Sequence, residues 1–240
     1  MYLKKLLIVF YGLQKGFNQH RKWKGNFMKK IAIFGTSGFA REVADICIEL
    51  EYKLILFLSA PGEDNDCISG MEVKSESEVE ELHRNGFDFA MGMGDPKVRK
   101  KISLNYKHLN FPNLIHPDTS FGLNQLDEIS KSKGNIICAG CRLTNNIVFG
   151  NFIVLNHNTC IGHDSIICDF VSAMSGALIA GNVELSECSY LGSGSIILQG
   201  SYHKKIKIGE NTVIGTASLV IKSVKPNITV FGVPCKQISK

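Results

Sequence analysis

The chain has 240 residues, a formal charge of +5 and 44% apolar residues, enough for two modest domains. The charge is local: residues 1–27 hold Lys4, Lys5, Lys15, Arg21, Lys22 and Lys24 and no acid, and the other 213 residues carry 21 basic against 22 acidic side chains. A near-neutral body has no electrostatic footprint for nucleic acid, so a nucleic-acid partner is not expected.

The leader contains one apolar run, Leu6–Leu13, too short to span a bilayer. Its cationic start and short apolar core have the outline of a signal peptide, but no small-x-small cleavage pattern follows. The expectation is a poorly ordered tail, or a segment upstream of a natural start at Met28. A weak membrane-surface anchor is the alternative.

After Met28, Ile31–Phe34 reads as a buried strand. Gly35-Thr-Ser-Gly-Phe-Ala40 reads as a turn, and Arg41–Leu50 as an amphipathic helix. A strand, a glycine turn and a helix make a phosphate cradle, because free N–H groups meet the positive helix end. The dinucleotide fingerprint wants glycines at 35, 37 and 40; Ser37 and Ala40 break it, which disfavours a nicotinamide enzyme. Further strands are expected at Leu54–Leu58 and Asp88–Gly92, followed by Gly94-Asp95 and a basic helix from Lys97. Alternating strands and helices argue a small parallel α/β unit, with its crevice at the strand carboxyl ends near Gly38 and Gly94.

From Ile137 the chain repeats every six residues. Ile137, Leu143, Phe149, Leu155, Ile161, Ile167, Ala173, Ile179, Leu185, Leu191 and Ile197 are all apolar. Chance gives that run about once in ten thousand tries. Four residues after each lies a second inward series, from Cys141 to Ser201, mostly small or β-branched. Gly150, Asn156, Gly162, Gly192, Gly209 and Gly215 take the second position, and Asn146, Asn158, Asn182 and Asn211 the fourth. Unusual backbone angles are expected at both. This is the signature of a parallel β-helix. Removing Ser201–Lys205 restores the phase at Ile208, Ile214 and Val220. Those five residues are therefore an insertion and a protruding loop, whose Lys204 and Lys205 are either phosphate contacts or solvated charges.

The eight cysteines follow the repeat and do not make paired zinc spacings; Cys138 and Cys141 stand alone. They are read as reduced thiols of a cytoplasmic protein, with no metal.

With the order of parts in view, Gly35–Ala44, Gly92-Met-Gly-Asp95 and Phe111-Pro-Asn-Leu-Ile-His-Pro117 ahead of the hexapeptide repeat resemble the NeuD/PglD-type sugar O-/N-acetyltransferases. The resemblance implies a Rossmann-like domain over 28–111 and a left-handed β-helix over 112–240. It also implies a homotrimer and transfer of acetyl from acetyl-CoA, as co-substrate, to a sugar or nucleotide-sugar acceptor of a bacterial surface glycan. On this resemblance Gly38, Phe39, Ala40 and Gly94 contact the acceptor. Ser193 and Thr216 border the pantetheine groove, and Lys236, in Gly232-Val-Pro-Cys-Lys236, meets a coenzyme A phosphate. Ser172 stands where some relatives place a coenzyme A-contacting histidine, so that contact is altered or lost. Ser59 and Ala60 replace an acidic pair common in members that bind UDP-sugars.

Asn156-His-Asn-Thr-Cys-Ile-Gly-His-Asp164 supplies the chemistry. His157 and His163 lie one hexad apart, on different corners. A carboxylate at Asp164 favours the protonated imidazole next to it. Gly181 lies one 18-residue coil beyond His163, leaving a slot and a bare N–H. Acyl transfer needs a general base and an oxyanion donor. The reading is His163 as base, Asp164 tuning it and Gly181 as donor, with His157 as a substrate or interface residue and His116 as structural. The alternative is a non-catalytic sugar-nucleotide-binding or assembly protein on the same scaffold.

Overall fold

The computed structural model describes residues 28–60, 62, 63 and 67–238; the leader, with its Leu6–Leu13 run, lies outside them. Among the described residues no helix is long and apolar enough to cross a membrane.

The front of the chain is a five-stranded sheet. Its strands are β1 (Lys30–Phe34), β2 (Leu54–Ser59), β3 (Cys67–Ile68), β4 (Met71–Ser75) and β5 (Asp88–Met91), in the order β3-β4-β2-β1-β5. β1, β2, β4 and β5 run parallel, and β3 pairs antiparallel with β4. The β3–β4 hairpin turns on Ser69 and Gly70, with φ of 52° and 77°. That is the primed-turn geometry whose twist matches the strands. The helices are α1 (Gly38–Glu49), α2 (Val79–Arg84) and α3 (Pro96–Asn105). α1 buries Ala40, Val43, Ala44 and Cys47, the i, i+3, i+4, i+7 stripe of an amphipathic helix. β1 lies between β2 and β5, so the strand order reverses beside it and opens a crevice at the carboxyl ends.

A short helix α4 (Gln125–Ile129) closes one end of the solenoid that follows. The Gln125 side chain satisfies both the N–H and the carbonyl of Ile147, while Ile129 is buried in the helix core.

The solenoid is a left-handed β-helix with three parallel faces of eight, six and four strands; an antiparallel return strand completes the widest. Coils pair at a spacing of 18: Val154 with Ser172, Cys160 with Leu178, Ile166 with Glu184. Each first-position side chain of the opening series is buried, as is each fifth-position side chain up to Ser195. Burying an Ile or Leu there stabilises the coil by roughly 1.5–3 kcal/mol. After Ile197 the pairs become Glu184 with Lys207 and Ile196 with Leu219, five residues longer than a coil. Ser201–Lys205 is thus outside the ladder, and Ser201 and Lys204 bridge across its tight turn.

The structure corrects one part of the corner reading. The left-handed conformation belongs to the fourth position, where Asn146, Phe152, Asn158, Asp164, Phe170, Asn182 and Cys188 have φ of 55° to 61°. The second-position glycines have ordinary angles and answer to space instead. A Cβ on Gly162 or Gly192 would lie 2.5 Å from backbone of the next coil.

Phe152 and Phe170 stack at 5.3 Å between the four- and eight-stranded faces, and Phe111 meets Phe152 edge-on at 5.4 Å. Both aromatics share a core with Phe34, Phe89 and Met91, so the front sheet and this corner are one packed unit. Arg99 of α3 closes the joint. Fully buried, it donates to the carbonyls of Met93 and Gly94 on one side and of Phe152, Phe170 and Val171 on the other, and to Ser172 Oγ. Burial pushes its pKa down to about 9, which leaves the guanidinium charged at neutral pH.

Candidate active site

His163 stands at the corner between the six- and four-stranded faces, its side chain about half exposed. Its Nδ1 is 2.7 Å from Asp164 Oδ2. Asp164 occupies the fourth position, and its φ of 58° is the left-handed corner angle. The other carboxylate oxygen accepts from Asn146 Nδ2, one coil earlier, at 2.6 Å. Lys205 of the inserted loop donates to the Asp164 main-chain carbonyl. The Asn146 hydrogen bond, then that of His163, hold the Asp164 carboxyl below the usual carboxylate range, and the charge of Lys205 acts in the same direction.

Gly181 lies against the imidazole. A Cβ on Gly181 would come within 2.6 Å of His163 Nε2 and 2.7 Å of Cε1. Gly181 has no left-handed angle, so the glycine serves the close approach rather than the backbone. Among the described residues its N–H makes no hydrogen bond. The imidazole, its carboxylate and a bare N–H therefore meet in one notch.

His157 lies on the next corner, between the eight- and six-stranded faces. Its Nδ1 is 2.6 Å from Asn156 Oδ1 and 3.9 Å from Glu42 Oε2 of α1. The two histidines do not share a site within one chain. Ser193 and Thr216 are exposed on the His157 corner, one coil apart once the insertion is counted, and the Ser193 carbonyl accepts from the Ala217 N–H. His116 Nδ1 accepts from the Asp118 N–H in the first coil of the solenoid, at the corner between the eight- and six-stranded faces.

Ser172 is elsewhere. It is fully buried, accepts from Arg99 and donates to the Gly94 carbonyl at 2.7 Å. A side chain so committed offers no contact to coenzyme A, and the Gly94 carbonyl is likewise occupied by the joint. Ala40 is also buried, packed where a Cβ on Gly92 would meet it at 2.5 Å. Gly38 is exposed at the start of α1, and Phe39 is half-buried.

The front crevice measures about 710 Å³ and opens at the carboxyl ends of β1, β2 and β5. It is lined by Gly35, Thr36, Ser37, Ala60, Lys101 and Tyr106 among others, and not by Gly38, Phe39, Ala40 or Gly94. Ser59 is turned away, buried and donating to the Lys74 carbonyl. Glu76 supplies a carboxylate instead, accepting from Tyr106 Oη at 2.9 Å. Sequence reasoning missed Lys101, Glu76 and Tyr106; the basic stretch from Lys97 was their one visible trace.

Lys236 lies on the antiparallel return strand, opposite Phe231. It lines a cleft of about 480 Å³ with Lys222 and Lys225. An adjoining notch of about 360 Å³ holds Lys204, Lys205 and Lys222, so cationic side chains lead from the His163 corner to the end of the solenoid. Cys138 and Cys141 are buried, and Cys141 Sγ contacts the Asn156 carbonyl at 3.2 Å.

Fold and notch together define a class: a parallel α/β domain set on a left-handed hexapeptide β-helix, with a histidine–carboxylate pair at one corner. Residues 30–105 match the family described as PglD N-terminal domain. Over 238 residues the chain is 26% identical to a GDP-perosamine N-acetyltransferase of Escherichia coli O157:H7, covering 89% of this chain and 98% of that one. In fold it is similar to WeeI from Acinetobacter baumannii AYE (TM-score 0.79, 24% identity, 88% of this chain and 100% of that one). It is also similar to the acetyltransferase domain of PglB from Neisseria gonorrhoeae FA1090, solved with acetyl coenzyme A (TM-score 0.77, 22% identity, 88% and 100%). Its front domain thus matches the PglD N-terminal family, and over most of its length the chain is similar to a sugar N-acetyltransferase.

Proposed function

We propose that this protein transfers an acetyl group from acetyl-CoA to the amino group of a nucleotide-linked sugar. The observation that carries the reading is the notch itself: an imidazole held through Nδ1 by Asp164, with Nε2 against a glycine whose N–H is unspent. Nε2 takes the proton from the attacking amine as its nitrogen bonds the thioester carbonyl carbon. The Gly181 N–H then donates to the developing oxyanion, and collapse expels the coenzyme A thiolate, which is protonated. A positioned base is worth about 10²–10⁴ in rate and one oxyanion donor about 10²–10³.

An amine acceptor is favoured over a hydroxyl because the relative matched along its whole length is an N-acetyltransferase, whereas the galactoside O-acetyltransferase of Lactococcus lactis matches 37% of this chain. The front crevice suits the nucleotide, with N–H groups at the Gly35–Ser37 turn and Lys101 for phosphates. The lysines at the solenoid end suit the phosphates of the donor.

The assembly in this reading is a homotrimer. Cys160, Leu178, Ile196 and Leu219 form one outward ladder on the six-stranded face, with Leu178 44% and Ile196 40% exposed. In a three-fold ring with this face turned to the axis, the His157 edge of one subunit adjoins the His163 edge of the next. That gathers Ser193 and Thr216 around the notch, which a single chain does not do.

The test is coenzyme A release with acetyl-CoA and a panel of nucleotide-linked amino sugars and sialic acids. His163→Ala is expected to abolish release while fold and acceptor binding persist. A variant with undiminished turnover removes His163 as the base; a wild-type protein that binds the acceptor without turnover makes the scaffold non-catalytic.

A further inference from the structure

Fourth-position side chains stack coil on coil along each corner. On the His163 corner the stack is Asn146, Asp164 and Asn182, each with φ of 58°. Because the rungs share one backbone conformation, side chains 18 residues apart can meet, as those of Asn146 and Asp164 do. One rung here is a carboxylate among amides, and its two oxygens have different partners. Oδ2 faces His163 Nδ1 at 2.7 Å, and Oδ1 accepts from Asn146 Nδ2 at 2.6 Å. A carboxylate only accepts, so the Asn146 amide must present its NH₂ to it.

A carboxylate held through one oxygen turns easily about its terminal torsion, which is broad. Held through both, its plane is set. The imidazole on Oδ2 is then confined to one ring orientation, with its proton on Nδ1 and Nε2 free toward Gly181. We propose that Asn146 is a positioning residue of the acyl-transfer site: from the preceding coil it fixes the plane of Asp164, and through Asp164 the orientation and tautomer of His163. This rests on the acetyltransferase reading above. Asn146 touches no reacting atom. Its hydrogen bond is exposed, so its work is orientation rather than stability.

The titratable groups acting on Asp164 among the described residues are His163 on the same corner and Lys205 from the inserted loop. Neither replaces Asn146. His163 is the group being positioned, and Lys205 holds the Asp164 main chain rather than its carboxylate.

Two variants test this. Asn146→Gly removes the donor and tolerates the left-handed angle, which an alanine would strain. Asn146→Asp keeps the shape but sets a second carboxylate against Asp164. The readouts are the pH at which Asp164 takes up its proton, followed by carboxyl carbon resonance, and the steady-state constants for acetyl transfer. The expected order of Asp164 titration is wild type lowest, Asn146→Gly higher and Asn146→Asp highest. In both variants kcat should fall by roughly tenfold or more, with KM for acetyl-CoA within about twofold of wild type. Folded variants with unchanged kcat overturn the proposal, whether or not Asp164 titrates differently. If they keep full activity while His163→Ala is dead, the positioning role alone falls; if His163→Ala is also active, the reading of the notch falls.

Discussion

Replacing Arg99 with methionine tests whether the two halves of the chain are joined by hydrogen bonds or by packing. Methionine retains much of the apolar stem and loses every donor. The carbonyls of Phe152 and Phe170, buried at the joint, and of Met93 at its margin would then have no other donor among the described residues. The carbonyls of Val171 and Gly94 keep one each, from the Val154 N–H and Ser172 Oγ. A buried carbonyl left unpaired costs about 1–3 kcal/mol, so two to three of them cost roughly 3–6 kcal/mol. Against this stands the desolvation of a guanidinium, which the variant no longer bears; because its hydrogen bonds already offset most of that cost, the relief is about 1–2 kcal/mol. The expected net loss is about 2–4 kcal/mol. It would be read by urea unfolding followed by circular dichroism, as a lower midpoint at an unchanged urea slope. Arg99→Lys should be no better, because an ammonium has three donors and cannot span both sides. An Arg99→Met protein within about 0.5 kcal/mol of wild type would refute this accounting and assign the joint to the aromatic stack of Phe111, Phe152 and Phe170.

Gly181→Ala would set a methyl 2.6 Å from His163 Nε2 and force the ring away, so kcat should fall at least about a hundredfold with circular dichroism unchanged. Leu178→Glu puts a charge in the middle of the outward apolar ladder and is expected to convert the proposed trimer to monomers in analytical ultracentrifugation, with coil structure kept. In the folded protein at pH 8 an aromatic disulfide reagent should label Cys67 fastest, since it is the one cysteine of the eight that is exposed. Cys47 and Cys141, whose thiols burial pushes up to about 12 and about 11, should react only on unfolding.

The coil was legible because burial has the period of the repeat: positions one and five point inward, and a side chain there is apolar or small whatever else changes. Asp164 beside His163, with Gly181 one coil away, could be counted for the same reason. The glycines were half legible. Their recurrence marked corners, but a one-letter pattern does not separate a residue needed for its angle, such as Asn146, from one needed for its emptiness, such as Gly162. Arg99 was illegible. In a stretch of Lys97, Arg99, Lys100 and Lys101 it looks like one more solvated charge, and its carbonyl partners across the joint lie 53 to 72 residues away. The role of Ser172 was illegible with it, since the partner that claims its hydroxyl was unseen. The hairpin between Cys67 and Ser75 had a signal in Ser69-Gly70 that is clear only once both left-handed angles are known.

The acceptors around Arg99 are main-chain oxygens, apart from one serine hydroxyl. Substitution at 93, 94, 152, 170 or 171 changes a side chain and leaves the oxygen in place. The angle between the front domain and the solenoid is therefore insulated from drift over most of the surface where they meet. Descendants of this chain are free to rework the crevice without re-aiming it. The same economy makes position 99 a single point of failure: one codon holds a setting that its surroundings cannot lose.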